Sequence, residues 1–104
     1  MTRNRVGRGQ AYYIATDAGE AFLDGFYGSL LDQHGIRPPL HTPPGVEVAE
    51  RTAADGRRLL FVLNHNAVGV RVHLASSFQN LLTNAPTSGT LELRATDVAI
   101  LTDA

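Results

Sequence analysis

The 104-residue chain contains no cysteine. That absence excludes disulfides, thiolate nucleophiles and zinc–thiolate sites, so the fold must hold by packing and hydrogen bonding. Nor is there a surplus of charge. Nine basic against ten acidic side chains leave a formal net charge of −1, which argues against nucleic acid or an anionic membrane as a partner. Lysine is missing altogether, all nine basic residues being arginine, a compositional bias to which no mechanism attaches. No stretch approaches the ~20 apolar residues of a membrane helix, and Met1-Thr2-Arg3-Asn4-Arg5 is followed by no signal-peptide apolar region. A soluble, cytoplasmic chain is expected. Aromatic residues are scarce beyond residue 40, where only Phe61 and Phe78 occur, both in apolar runs and expected in the core.

What is present changes pattern partway along. Ala11-Tyr12-Tyr13-Ile14-Ala15 is an unbroken apolar run, the mark of a strand buried on both faces in a parallel sheet. No second βα unit appears before Pro38-Pro39 to pair with it, so its neighbours are expected upstream of this chain. A chain of this length buries roughly two thirds of its unfolded surface, enough for one modest core and an appendage.

Asp17 and Glu20 have the spacing of an N-cap and its reciprocal partner, predicting a helix that starts at Asp17. Phe22, Leu23, Phe26, Tyr27, Leu30 and Leu31 recur on one face. Gly35 and Pro38-Pro39 end the helix near His34. Gly25 and Gly28 lie inside it at about 1 kcal/mol each relative to alanine, which suggests either simple tolerance or close packing against a neighbour.

From Leu40 the pattern is β. Val46, Val48 and Glu50 alternate with Glu47, Ala49 and Arg51. Asp55-Gly56 reads as a tight turn. Leu59-Leu60-Phe61-Val62-Leu63 is apolar on both faces, predicting a central strand with Phe61 among the most buried side chains. Val68, Val70, Val72 and Leu74 alternate with Gly69, Arg71 and His73, and this strand is expected to fold back on its predecessor as a second hairpin. Phe78, Leu81 and Leu82 form a short apolar patch before a loop over 83–89. Thr90–Leu93 and Val98–Leu101 are the closing strands, with a turn around Asp97.

Few residues offer chemistry. His34, His41, His65 and His73 have no metal-ligand spacing. His65, flanked by Asn64 and Asn66, stands out, but amides at a strand end more commonly bond backbone groups where the ladder stops. Ser29, Ser76, Ser77 and Ser88 lie in no nucleophile elbow. Gly7-Arg8-Gly9-Gln10 precedes a strand rather than following one, the wrong order for a phosphate loop, and reads as a flexible approach. Glu47 and Glu50 are three apart on one strand and point to opposite faces, unlike the facing carboxylates of a glycosidase. Glu47, Glu50, Asp55 and Glu92 read as a solvated surface. Arg3, Arg5 and Arg8 read as a solvated arm or a contact to a missing domain. The residues thus nominate no catalytic, cofactor-binding or metal-binding position.

Four segments together carry a family likeness: Thr2-Arg3-Asn4-Arg5-Val6-Gly7-Arg8-Gly9-Gln10-Ala11-Tyr12-Tyr13-Ile14-Ala15-Thr16, Glu20-Ala21-Phe22-Leu23, Pro44-Gly45-Val46-Glu47-Val48, and Leu60-Phe61-Val62-Leu63-Asn64-His65. The chain resembles the C-terminal end of glycoside hydrolase family 42 β-galactosidases over nearly its whole length. Asn84 and Asp97 depart from the family pattern. The resemblance implies a parent with a catalytic TIM barrel first, an α/β domain contributing to trimer formation second, and a small antiparallel β domain last. It places residues 1–38 at the strand–helix end of the trimerisation-type domain and residues 44–104 in the C-terminal β domain. The catalytic glutamates of the family belong to the barrel, so none is carried onto this chain. The expectation is therefore an α+β, mainly β chain, a small antiparallel β-sandwich or sheet preceded by one strand and one amphipathic helix. Its role would be non-catalytic and structural, with no cofactor. Its partner would be the remainder of the parent enzyme, a homo-oligomer. The alternatives are a carbohydrate-binding β-sandwich, which the want of exposed aromatics in the β portion disfavours, and a free-standing protein-interaction domain.

Overall fold

Residues 2–13 form a hairpin in the computed structural model, which describes residues 1–103. Strand β1 (Thr2–Val6) pairs antiparallel with β2 (Gly9–Tyr13), from Thr2 opposite Tyr13 to Val6 opposite Gly9. Gly7 takes φ +57° at the first corner of the two-residue turn while Arg8 keeps a negative φ, the backbone that suits the twist of a hairpin. This corrects two expectations. The lead-in is a turn rather than a flexible approach, and the apolar run ends as a strand at Tyr13 in an antiparallel pair, no residue of the run being more than half-buried. An apolar run reports that a strand is fit for burial; it does not report which strand lies beside it.

The helix α1 spans Glu20–Gln33. Its N-cap is Gly19, which makes no side-chain bond, so Asp17 does not cap it. The C-terminus closes with Ile36 N–H donating to Leu31 O (2.9 Å) and Gly35 N–H to Asp32 O (3.2 Å), the paired bonds of a Schellman motif. No helical residue is buried. A Cβ at Gly25 or Gly28 would meet open space, so neither glycine marks a close approach. Phe26 is the hub of an aromatic cluster, edge-on to Tyr12 at 5.2 Å and stacked on Phe22 at 6.0 Å.

The chain divides after Arg37 into two compact units. The second holds β3 (Val46–Thr52), β4 (Arg58–Asn64), β5 (Val70–Asn80), β6 (Ala85–Leu93) and β7 (Val98–Asp103), in one antiparallel sheet ordered β3-β4-β7-β5-β6. With the helix and the terminal hairpin, the chain is α+β and mainly β. The β3–β4 hairpin turns through Ala53–Arg57, with Gly56 N–H bonded to Ala53 O. The second expected hairpin is absent: β7 lies between β4 and β5, because the last strand pairs with Leu59–Leu63 and leaves β5 to pair mainly with β6. Val68 lies before β5 and is exposed. β6 begins at Ala85, inside the expected 83–89 loop, after a turn in which Leu81 and Leu82 are exposed.

The core is built from one parity of each strand. Leu60, Val62, Ala99 and Leu101 are essentially inaccessible, so Phe61, of the opposite parity, is only half-buried. The five-residue apolar run has no polar position to reveal which face wins. Between Leu74 and Phe78 the β5–β6 register shifts, and such irregularities bend a strand. Past the shift β5 pairs with β7 through Phe78–Asn80. Val72, Leu74, Phe78, Leu91 and Leu93 join the same cluster, with Leu40 closing over it. Each such burial stabilises by about 1.5–3 kcal/mol.

Candidate functional site

The densest polar arrangement in the molecule lies at the end of β4. Asn64 is 2% exposed and its amide is fully engaged: Nδ2 donates to Val68 O (3.0 Å) and Arg94 O (2.8 Å), while Oδ1 accepts from the Asn66 backbone N–H and from Asn66 Nδ2, both at 3.0 Å. Its own backbone N–H donates to Asp97 O at 2.9 Å. Asn66 Nδ2 also donates to Pro44 O (3.0 Å), Thr96 N–H to Asn66 O (3.2 Å) and His65 N–H to Gly45 O (2.8 Å). One tripeptide thereby fastens the 43–45 turn, the β4–β5 connection and the β6–β7 connection. Gly45 sits at φ +80°, and a Cβ there would overlap the Asn66 amide, so both conformation and space demand glycine.

The side chain of His65 does something other than bond backbone. It turns outward to Glu47, Nε2 to Oε1 at 3.3 Å, with both side chains about 60% exposed. His34 at the helix end, His41 and His73 are exposed and separate. Among the described residues no three of His, Cys, Asp or Glu stand where they could hold a metal ion. Glu47 and Glu50 occupy opposite faces of β3: Glu47 lies across from Leu63, and Glu50, across from core residue Leu60, approaches Arg58 at 3.9 Å. Asp103 lies 2.8 Å from the Arg58 guanidinium, and that hydrogen bond raises the arginine's already high pKa. At the β3–β4 turn, the Arg57 backbone N–H donating to Asp55 Oδ1 holds that carboxyl below its usual value, assisted by the Arg57 guanidinium on Oδ2. Ser29 is exposed on the helix, Ser76 and Ser77 fall at the β5 irregularity, and Ser88 is exposed on β6.

Two hollows exist. An open groove of about 810 Å³ beside the polar knot is lined by Gly69, Val70, Arg71, Glu92, Leu93, Arg94 and Asp97, with Arg71 and Glu92 paired at 3.3 Å. No aromatic ring lines it. A smaller hollow of about 310 Å³ lies in the first unit between Met1, Ile14, Thr16, Ala18, Gly19 and Phe22. The sequence pointed to the Asn64-His65-Asn66 cluster but held no sign of Gly45, Arg94 or Asp97 as its partners, because those contacts join residues 20 to 33 positions apart.

Fold and site together define a small antiparallel β domain whose buried polar groups are spent on tying loops. The chain belongs to the β-galactosidase C-terminal domain family, whose profile matches residues 45–103. It is 41% identical over 102 residues to the β-galactosidase BgaP of Planococcus sp. (strain L4), covering 97% of this chain and 15% of that protein. A β-galactosidase of Arthrobacter sp. is 36% identical over 98 residues, covering 94% and 14%. The crystal structure of a β-galactosidase from Bacillus circulans sp. alkalophilus superposes with a TM-score of 0.84 at 43% identity, over 98% of this chain and 15% of that one. The chain thus spans about 15% of the length of the relatives it matches.

Proposed function

We propose that this chain is the non-catalytic, structural C-terminal part of a β-galactosidase, supporting the stability and assembly of the parent enzyme. Residues 1–38 would be the end of a trimerisation-type α/β domain and residues 44–104 the terminal β domain. The partner is the remainder of the parent, with its catalytic barrel, in a cytoplasmic homo-oligomer. The observation that carries the reading is the use made of the buried polar groups. The Asn64 knot is saturated by internal hydrogen bonds, and Glu47 and Glu50 stand on opposite faces of one strand. A glycosidase requires two carboxyl groups facing one another across a cleft.

The test is to compare a full-length β-galactosidase carrying this chain with the same enzyme truncated before it. The truncated enzyme should lose thermal stability or assemble poorly. The purified 104-residue chain should not hydrolyse a chromogenic galactoside above a blank. Turnover by the chain alone, or a truncated enzyme indistinguishable in melting temperature and sedimentation, would overturn the proposal. Saturable amide shifts on adding galactose or lactose would instead establish a sugar-binding module.

A further inference from the structure

The five-stranded sheet has a second apolar face. Alternation along β4 and β7 sends Leu60, Val62, Ala99 and Leu101 into the core, so Leu59, Phe61, Leu63, Val98 and Ile100 stand on the opposite side. Register places Ala49, Phe61 and Ile100 in one row across three strands, with Leu63 beside Val98 in a parallel row. Phe61, Leu63 and Ile100 are half-buried and Val98 is 38% exposed. Glu47 and Arg51 mark the two ends of the patch along β3.

The rest of the sheet is different. On the back of β5 and β6 stand Arg71, His73, Thr90 and Glu92, all exposed. An antiparallel sheet with one wet face shows that polar alternation. The β3–β4–β7 half abandons it, and a contiguous apolar patch with a polar rim marks an interaction surface. Both hollows described above lie elsewhere, and an apolar sheet face with a polar rim suits a protein surface of the same character.

We infer that the back face of β3, β4 and β7, centred on Phe61 and Ile100, is where the C-terminal domain docks on an apolar surface of the upstream polypeptide. The inference rests on the structural role proposed above. The occupant follows from length: the chain makes up 15% of its relatives, so most of the protein that could cover this face lies outside it.

The experiment is hydroxyl-radical labelling with mass spectrometry, on the free chain and on a chimera in which it replaces the matching C-terminal residues of the Planococcus β-galactosidase. Labelling of Phe61, Leu63 and Ile100 should fall at least about threefold in the chimera, as expected of a surface entering an interface, while buried Phe78 stays low in both. Phe61→Glu with Ile100→Glu should lower the chimera's melting temperature, whereas His73→Glu on the polar half should not. Equal labelling of Phe61 in both proteins overturns the inference, even where truncation before the chain destabilises the enzyme and so upholds the structural role. Truncation without effect removes both. Protection of Phe61 in the free chain that grows with its concentration assigns the face to a second copy and overturns the inference as well.

Discussion

Residues 1–37 and residues 38–103 solve the burial problem in opposite ways. The second unit closes a single core around Leu60, Val62, Val72 and Leu101, each no more than 1% exposed. The first buries nothing in its helix and leaves Tyr13, Phe22, Tyr27 and Leu31 between 45% and 67% exposed. A lone two-stranded hairpin is marginally stable in water, and a helix draws most of its stability from packing an apolar face. Secondary structure is thus formed in both units, while a closed apolar core is formed only in the second.

Truncating matched side chains should separate the two units most clearly. Leu101→Ala should destabilise the second unit by about 2–5 kcal/mol in a urea titration, whereas Phe26→Ala should leave that unit's transition unmoved. Equal shifts would show that the units fold as one. Asn64→Ala comes next. It removes the side-chain bonds to the carbonyls of Val68 and Arg94 and the acceptor of the Asn66 amide groups, at a cost of about 0.5–1.5 kcal/mol for each hydrogen bond lost. Gly45→Ala, which forces Asn66 aside, should weaken the same loops, with amide exchange accelerating first at residues 65–69 and 94–97.

Smaller effects sharpen the picture of the first unit. Gly25→Ala and Gly28→Ala enter open space, so each should stabilise the helix by about 0.5–1 kcal/mol. Helical ellipticity should rise with no change in the second unit's midpoint; a fall would reveal a packing role for these glycines. The smallest effect is at Asp55. Its folded pKa lies below the ordinary 3.8, so its contribution is present above that pH and is lost as pH falls through the folded value. Asp55→Asn should flatten that part of the acid limb of the stability profile, and an unchanged limb would show that the turn contact carries no linkage.

Much of the local structure was legible. Spacing of Phe22, Phe26 and Leu30 located the helix, Gly35 its end, and Asp55-Gly56 the β3–β4 turn, all signals carried within a few residues. The Asn64-His65-Asn66 cluster announced a polar strand end. The N-cap was misplaced at Asp17 because a capping spacing fits several starts, and the extended Gly19 took the position. Phe61 was assigned to the core because a run apolar on both faces carries no parity.

Sequence alone located the helix, the first strands of the second unit and the β3–β4 turn, required packing without covalent ties, and carried the family likeness. Each of these is written in short-range pattern or in residue type. Long-range packing settled that β7 lies between β4 and β5, that Leu60 rather than Phe61 faces inward, and that Asn64 reaches Arg94 across 30 positions of chain. Strand partners and inward parity are chosen by competition among distant segments for one core, and no local pattern encodes the outcome of that competition.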